Sequence, residues 1–147
     1  MNPARPHLIP GALFTDARGA LACVNALDLA KMRRFYVLTH PETTAIRGWN
    51  GHRQERKWMT CLRGRFAIGL VKLDSFTAPS PHLPAEIFRL EAAQPQTLAI
   101  PAGYANAIKA LEPDSLLLVL SDKTLDEARD DNWKYPPTQW VDWSQIL

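Results

Sequence analysis

The sequence predicts an all-β domain, a sandwich or barrel of short strands, on three observations. Short β-prone runs recur along most of the chain, and Pro, Gly, Asp and Ser separate them. No long stretch repeats its apolar residues at the helical period. The 147 residues suit one core of ordinary size, so we expect one domain over residues 1–147.

The predicted strands follow one another at short intervals. They cover residues 21–25, 32–39, 57–62, 65–73, 87–90, 97–100, 105–111 and 116–121. Arg63 and Gly64 separate two of them at a distance that predicts a β-hairpin. Residues 75–84 contain three prolines, and proline cannot donate a hydrogen bond within a sheet. We therefore expect this segment to be a surface loop.

The pattern changes after the last predicted strand. Residues 124–131 indicate a short acidic helix with Thr124 as its N-cap, and we expect the run 126–131 to be a solvated face. Four large aromatic residues then occur within eleven positions: Trp133, Tyr135, Trp140 and Trp143. So much apolar surface is unfavourable in water, so the tail should pack on the sheet or on a second subunit.

Composition argues against several functional classes. The net charge of +2 is too small to indicate a nucleic-acid partner, and no apolar run approaches the roughly twenty residues of a membrane span. The first ten residues lack the apolar segment of a signal peptide, so we expect a cytoplasmic protein. Cys23 and Cys61 are isolated in apolar surroundings, which is typical of buried free thiols. His7, His40 and His82 lie beside prolines or in loops, so we expect them at the surface.

A polar segment contains the first candidate site residues. Asn50 and His52 are two positions apart, so on a strand their side chains lie on one face. Lys57 shares a face with Met59 and Cys61, and an interior lysine is costly without an anionic partner. His52 is the side chain whose ordinary pKa, near 6.5, suits proton transfer at neutral pH. The alternative that His52 only orients its neighbours stays open.

Three segments, in order, match a family pattern. They are the F-x-D-x-R-G opening at 14–19, residues 34–37 followed by 46–64, and an I-P-x-G-Y-A-N turn within 100–108. Together they resemble the sugar-nucleotide cupins that include dTDP-4-dehydrorhamnose 3,5-epimerase and the dTDP-4-keto-6-deoxyhexose 3,4-ketoisomerases. The resemblance covers most of the chain. It implies a cupin-type jelly-roll β-barrel, usually dimeric, with a sugar nucleotide entering its open mouth.

The metal slots of this cupin pattern have largely lost their ligands. The four slots hold Asn50, His52, Lys57 and Asn106. One imidazole beside an ammonium and two amides is a poor site for a divalent transition metal, so we expect no metal and no cofactor. A cationic pocket lined by amides instead suits an anionic, oxygen-rich ligand such as a sugar nucleotide.

The resemblance also implies roles for the cationic residues. Arg47 and Arg18 match arginines that look like contacts to phosphate or sugar oxygens, and Lys57 matches a lysine near the sugar. Asn50 falls where the 3,5-epimerases place their base histidine, and residues 121–123 fall near their acid tyrosine. Both of those catalytic groups are therefore missing, which leaves His52 as the candidate base.

The remaining candidates are amides and phenols. Asn50 and Asn106 are expected to bind sugar hydroxyl or keto oxygens, with hydrogen bonds to loop backbone as the alternative. Tyr36 is assigned to substrate binding and Tyr104 to proton return, although either could belong to the core. We further expect Arg47, His52 and Lys57 to converge with the two asparagines, with no carboxylate able to neutralise the cations.

Two functions follow from different classes. The first is an epimerase or keto-isomerase that acts on a dTDP-type 4-keto-6-deoxysugar by enolisation, in cell-surface polysaccharide biosynthesis. The second is a non-catalytic cupin that binds a sugar nucleotide or carbohydrate, a reading favoured by Asn50. In either case we expect a nucleotide-sugar ligand and a homodimer, with no nucleic-acid or membrane partner.

Overall fold

A computed structural model describes residues 4–147 and contains two five-stranded antiparallel sheets and a separate hairpin. The strands are β1 (His7–Pro10), β2 (Ala12–Asp16), β3 (Gly19–Cys23), β4 (Arg34–His40), β5 (Ile46–His52), β6 (Lys57–Arg63), β7 (Arg65–Lys72), β8 (Ala85–Glu91), β9 (Gln96–Ile100), β10 (Tyr104–Ala110), β11 (Ser115–Ser121) and β12 (Trp133–Lys134). A short helix, α1 (Leu125–Ala128), and a 3-10 turn (Trp143–Gln145) lie near the C-terminus.

The two sheets face each other across one core. The first sheet has the order β1-β9-β6-β11-β4 and the second has the order β12-β5-β10-β7-β8. Within residues 4–147, strands β2 and β3 pair with each other and with no other strand. The predicted all-β architecture is thus confirmed, as two sheets that share no strand rather than a fully closed barrel. No helix in the described part of the chain is long and apolar enough to cross a bilayer.

Local sequence explains most of the strands. Each of the eight predicted strands overlaps an observed strand, and the predicted helix begins after Thr124, whose side chain and that of Glu127 form a capping box. Four strands were missed: β1, β2, β5 and β12. In β5 the glycines Gly48 and Gly51 and the polar Asn50 weaken the β-prone pattern.

The predicted hairpin at Arg63 and Gly64 is wrong. Strand β6 pairs with β11 and β9 in the first sheet, whereas β7 pairs with β10 and β8 in the second. The chain passes from one sheet to the other at Gly64, which has φ +75°. A Cβ there would collide with the side chain of Ser115, so both the turn and the close approach require glycine.

The apolar core lies between the sheets. On β6, Met59 and Cys61 point inward, and on β11, Leu117 and Val119 do the same, as alternation on a strand requires. Cys61 is a buried free thiol as predicted, and Cys23 is free but half-buried.

The aromatic tail covers the outer face of the second sheet. Trp49, fully buried, contacts Trp140 and Trp143, with ring centroids 5.3 Å and 5.9 Å apart. The indole N–H groups of Trp49 and Trp143 both donate to the Pro137 carbonyl, at 3.2 Å and 2.9 Å. A Cβ at Gly69 would come within 2.7 Å of the Trp49 ring, so glycine makes room for this packing. The expectation that the tail packs on the sheet is confirmed.

The tail also holds the proline-rich loop between β7 and β8. The Tyr135 hydroxyl donates to the Phe76 carbonyl at 2.7 Å, and the Trp140 indole donates to the Ser80 carbonyl at 2.9 Å. Residues 75–84 form no strand or helix, in agreement with the expectation of a loop. His40, by contrast, is buried against the Phe66 ring, so its predicted surface position is wrong.

We predict that Trp49→Ala lowers the free energy of unfolding by about 3 to 5 kcal/mol, because it empties the space between the sheet and the tail. Leu29→Ala is the control: Leu29 is 60% exposed, and its truncation should cost about 0.5 kcal/mol or less. Urea denaturation of both variants measures the difference. Equally small losses would contradict the packing described for the tail.

Candidate active site

A cavity of about 330 Å³ opens at one end of the sandwich. The first sheet, the second sheet, the loop between β5 and β6, and the segment from α1 to β12 all contribute walls. Its lining residues are Arg34, Asn50, His52, Glu55, Lys57, Leu125, Ala128, Arg129, Asn132 and Lys134. The structure therefore brings together three of the predicted site residues, Asn50, His52 and Lys57.

The buried ring of His52 has a defined tautomer. Nδ1 lies 2.8 Å from the Asp131 backbone carbonyl and 3.2 Å from Glu55 Oε2. A carbonyl only accepts hydrogen bonds, so Nδ1 must carry the proton and Nε2 holds the lone pair. Nε2 is buried and has no hydrogen-bond partner among residues 4–147.

The surroundings of His52 favour its neutral form. Burial lowers the pKa of this imidazole, and the Lys57 ammonium lowers it further. The Asp131 carbonyl and the Glu55 carboxylate act in the opposite direction without reversing the shift. At neutral pH the ring is therefore an uncharged base that can accept one proton at Nε2.

Glu55 is a buried carboxylate that the sequence reasoning missed. Its Oε1 accepts hydrogen bonds from Arg34 Nη2 at 2.8 Å and from the Ser121 hydroxyl at 2.6 Å. Its Oε2 is the atom that lies beside His52. Glu55 forms ion pairs with Arg34 and His52 but none with Lys57 or Arg47, so among the described residues the expectation that no carboxylate neutralises both of these cations is not contradicted. The sequence does show a glutamate between His52 and Lys57. The direction of its side chain depends on the conformation of a loop, which strand periodicity does not predict.

Asp131 fixes that loop. Its carboxylate accepts hydrogen bonds from the backbone N–H groups of Arg53, Gln54 and Glu55, at 2.6, 2.8 and 2.8 Å. The helix ends at Ala128, so Asp131 does not lie on a solvated helix face as predicted but is buried. Three charge-assisted hydrogen bonds to consecutive amides hold the loop that carries Glu55 into the site.

Lys57 is buried at the start of β6 with a phenol as its partner. Its Nζ donates to the Tyr36 hydroxyl at 3.0 Å. The Arg34 guanidinium lies over the same phenol ring, 5.2 Å from its centroid. Within the described part of the chain, no carboxylate forms an ion pair with Lys57. Its charge is therefore available to an anionic group in the cavity.

Tyr104 and Asn106 lie on the inner face beside the cavity but do not line it. Tyr104 is directly opposite His52 in the ladder between β10 and β5, and Asn106 is opposite Asn50. The Asn106 side-chain amide donates to the Asn50 carbonyl at 3.4 Å, which matches the backbone alternative for that residue. Tyr104 packs in the core, where burial and, secondarily, Glu86 raise the pKa of its phenol.

The two arginines assigned to phosphate contacts lie elsewhere. Arg47 is exposed, and its charge acts on His40 at the opposite end of the sandwich. A strand advances about 3.3 Å per residue, so five positions separate Arg47 from His52 by about 16 Å. The expected convergence is therefore wrong for Arg47. Arg18, whose side chain is 91% exposed, pairs with Asp16 in the hairpin turn and does not line the cavity of its own chain.

The cavity has an excess of positive charge. Arg34, Lys57, Arg129 and Lys134 line it, whereas Glu55 is its single acidic lining residue. Asp126 pairs with Arg129 at 2.8 Å. Among the described residues, no three potential ligands are grouped closely enough to hold a metal ion. The arrangement suits an anionic ligand bound beside a neutral imidazole.

The family model described as "FdtA: WxcM-like, C-terminal" matches residues 6–135. The chain belongs to this family. The match spans both sheets, the loop that carries Glu55 and the segment that carries Asp131. The comparison with curated proteins gave no match.

Solved structures similar to this FdtA-family chain include sugar ketoisomerases and epimerases. A variant of the 3,4-ketoisomerase QdtA from Thermoanaerobacterium thermosaccharolyticum, in complex with TDP-4-keto-6-deoxyglucose, is 22% identical with a TM-score of 0.68, covering 88% of this chain and 87% of that one. NovW, a 4-keto-6-deoxy sugar epimerase from Streptomyces spheroides, is 17% identical with a TM-score of 0.77, covering 97% and 76%.

A third similar structure is dTDP-4-dehydrorhamnose 3,5-epimerase from Bacillus anthracis, with TDP and PPi bound. It is 19% identical with a TM-score of 0.72, covering 97% of this chain and 83% of that one. At these identities the similarity shows the cupin-type fold that the FdtA-family chain shares with them.

We predict that acidification destabilises the protein through its two buried histidines. The pKa of His40 is lowered by burial and then by Arg47, and the pKa of His52 is lowered as described. Below about pH 6.5 the unfolded chain binds protons that the native state does not, so the free energy of unfolding should fall between about pH 7.5 and about pH 5.5.

Urea unfolding at several pH values tests this prediction. Both ring nitrogens of His40 are buried and have no hydrogen-bond partner in the described part of the chain, so His40→Leu should reduce the pH dependence at little cost in stability at pH 7.5. The exposed His82 provides the control, His82→Gln, which should leave the pH dependence unchanged. A His40→Leu variant with the slope of the wild type would show that His40 is not responsible.

Proposed function

We propose that the protein is an epimerase or keto-isomerase of a nucleotide-linked 4-keto-6-deoxysugar of the dTDP type, with a place in cell-surface polysaccharide biosynthesis. One observation carries the proposal: His52, an uncharged imidazole whose buried Nε2 has no hydrogen-bond partner among the described residues, lines the same cationic cavity as Lys57. Membership of the FdtA family and the similarity to sugar-nucleotide epimerases and ketoisomerases support it.

The chemistry is enolisation. His52 Nε2 takes the proton from the carbon next to the ketone, and the electrons of the broken C–H bond form the enolate. The Lys57 ammonium stabilises the negative charge that develops on the ketone oxygen. Tyr36 does not line the cavity, but its hydroxyl accepts a hydrogen bond from Lys57, so it can return a proton to the sugar, after which exchange with solvent restores the protonation of Tyr36 and His52. Removal and return of a proton are redox-neutral, so no oxidant or cofactor is needed. The imidazolium formed on His52 then lies beside Glu55.

The diphosphate would be held by the remaining cations of the cavity. Arg34 presents a planar guanidinium that suits phosphate oxygens, and Arg129 and Lys134 add charge from the opposite wall. Asn50 can hydrogen-bond to a sugar hydroxyl or keto oxygen through its side-chain amide. This assignment uses cations that line the cavity in place of Arg47 and Arg18.

A non-catalytic binder of a sugar nucleotide is the second candidate. Asn50 favours it, because an amide cannot remove a proton next to a ketone at neutral pH. The two candidates share the ligand and differ only in whether His52 exchanges a proton with it. Binding and exchange must therefore be measured separately.

We predict that Lys57→Ala weakens dTDP binding by roughly ten- to a hundredfold, because a charge-assisted contact contributes about 1.5 to 3 kcal/mol. His52→Asn should leave dTDP affinity nearly intact and lower the exchange of sugar protons with solvent deuterium by about a hundredfold or more. Calorimetry with dTDP and NMR of dTDP-4-keto-6-deoxyglucose in deuterated water are the two measurements.

Arg47→Ala is the matched control for Lys57→Ala. It removes the same charge at the other end of the sandwich, so its effect on dTDP affinity should be under about threefold by the distance between the sites. A wild type that binds dTDP without exchange would favour the binder. A wild type that does neither would refute the sugar-nucleotide assignment.

The homodimer is part of the same proposal. Exposed large apolar side chains concentrate on the N-terminal hairpin and on the outer face of the first sheet: Leu13, Phe14, Leu21, Phe35, Val37 and Leu62. Exposed apolar side chains gathered on one hairpin and one sheet face are typical of subunit interfaces. The aromatic tail packs on its own sheet, so the N-terminal strands are the better candidate for the contact.

We predict that the wild type is a dimer at micromolar concentration and that Phe35→Asp shifts it towards monomer, because a carboxylate would be buried without a partner. Phe35 is 69% exposed on β4 within one chain. Leu147→Asp, at a site 84% exposed and away from this face, is the control and should stay dimeric. Light scattering decides, and a monomeric wild type would disprove the proposed interface.

A further inference from the structure

We propose that Glu55 is a positioning residue for His52, and that it fixes the imidazole with Nε2 as the reacting nitrogen and stabilises the proton that Nε2 accepts. The inference rests on the proposed function and adds a residue to it. No motif used in the sequence analysis assigns a role to Glu55. Its side chain is 1% exposed and touches both the base and a cavity cation.

The contacts at Nδ1 leave one arrangement of the proton. The Asp131 carbonyl and the Glu55 carboxylate are both acceptors, and both lie within 3.2 Å of this nitrogen. A proton on Nε2 alone would bring three lone pairs together at Nδ1, which is strongly unfavourable. The ring is therefore held so that only Nε2 gains or loses a proton.

The charges around His52 come from four directions. Arg34 lies on β4, Lys57 on β6, Glu55 on the loop, and Arg129 and Lys134 on the segment from α1 to β12. Asp131 adds a carboxylate, but its two oxygens are bound to backbone amides. Glu55 is thus the anion in direct contact with the ring. Its charge opposes that of Lys57 and stabilises the imidazolium that forms during enolisation.

Glu55 is itself held in place. Arg34 and Ser121 bind its Oε1, and its backbone N–H donates to Asp131. A carboxylate with its other oxygen anchored twice cannot turn away when the ring becomes charged. This anchoring distinguishes a positioning residue from a flexible surface neighbour.

The variant Glu55→Gln distinguishes a positioning role from a purely structural one, because the two roles predict different changes in exchange rate and in dTDP affinity. A glutamine keeps the size and can still accept hydrogen bonds from Arg34 and Ser121, but it removes the charge and turns an N–H donor towards Nδ1. The exchange rate should then fall by about tenfold or more. The affinity for dTDP should be unchanged or higher, because the cavity loses its single acidic lining residue.

The experiment combines three measurements on the full chain. NMR of ¹⁵N-labelled histidine reports the tautomer and titration of each of the four rings, and His52→Asn assigns the signal of His52. Calorimetry gives dTDP affinity, and the deuterium assay gives exchange. The wild type should carry its proton on Nδ1, and Glu55→Gln should titrate at a lower pH. Glu55→Asp, which keeps the charge, should restore part of the exchange rate.

Glu112→Gln is the matched control. Glu112 is a half-exposed carboxylate 3.8 Å from Arg65, at the end of the sandwich opposite the cavity, so its loss should leave all three measurements unchanged. A wild-type ring protonated on Nε2, or a His52 titration that Glu55→Gln does not move, would overturn the proposal. Weakened dTDP binding together with lost thermal stability in Glu55→Gln would also overturn it. If the tautomer and titration behave as expected but the wild type shows no exchange, the positioning stands and the enzymatic function fails.

Discussion

The geometry of the site depends on Asp131. Its carboxylate accepts three consecutive backbone N–H groups, and its carbonyl accepts the Nδ1 proton of His52. Consecutive amides directed inward would each carry a desolvation cost of about 1 to 3 kcal/mol if they were unpaired. One residue, 76 to 79 positions later in the chain, satisfies all of them and orients the His52 ring. The same residue joins the wall made by α1 and β12 to the wall made by β5 and β6.

A polar cavity at the end of a sandwich reduces the apolar area buried in the core. The second sheet compensates for this loss because both of its faces are buried. On β5, Asn50 and His52 point inward to the cavity, whereas Trp49 between them points outward and is fully buried under the tail. The outer face of β5 thus buries apolar surface, whereas its inner face is polar near the cavity. Because the tail also binds the loop after β7, the aromatic residues near the C-terminus support the strand that carries His52.

Local pattern predicted the parts of the fold that local forces determine. Strand alternation correctly placed Asn50 and His52 on one face and Lys57 beside Met59, and a capping signal located α1. The hairpin at Arg63 and Gly64 was predicted wrongly because a two-residue gap between strands indicates only the length of the connection. It does not indicate which sheet the next strand joins. His40 was misplaced because a neighbouring proline says nothing about what packs over a strand end.

The missed site residues share a different cause. Glu55 and Asp131 acquire their roles through contacts between a loop and a distant segment, and no period in the sequence encodes such contacts. Arg47 was expected in the cavity because all residues of the motif were assumed to lie at one site. The motif instead runs along β5, which extends to the other end of the sandwich. The pairing of β10 with β5 also shifts register between Asn106 and Ala107, which pair with Asn50 and Gly48. This irregularity lies between Arg47 and His52 on β5.

The buried carboxylate bears on the choice between enzyme and binder. A protein that only binds an anion gains affinity from cations and loses it when a glutamate in the same cavity takes up one of them, as Glu55 does with Arg34. A fixed imidazole tautomer is likewise of no use to such a binder, because a neutral ring contributes little to holding a diphosphate. Both features become useful when His52 must accept a proton and carry a positive charge for part of a reaction cycle. Under the proposed function, the site gives up some attraction for an anionic ligand in a way that favours proton transfer, and this combination favours the proposed enzyme over the proposed binder even with Asn50 in the position of the usual base.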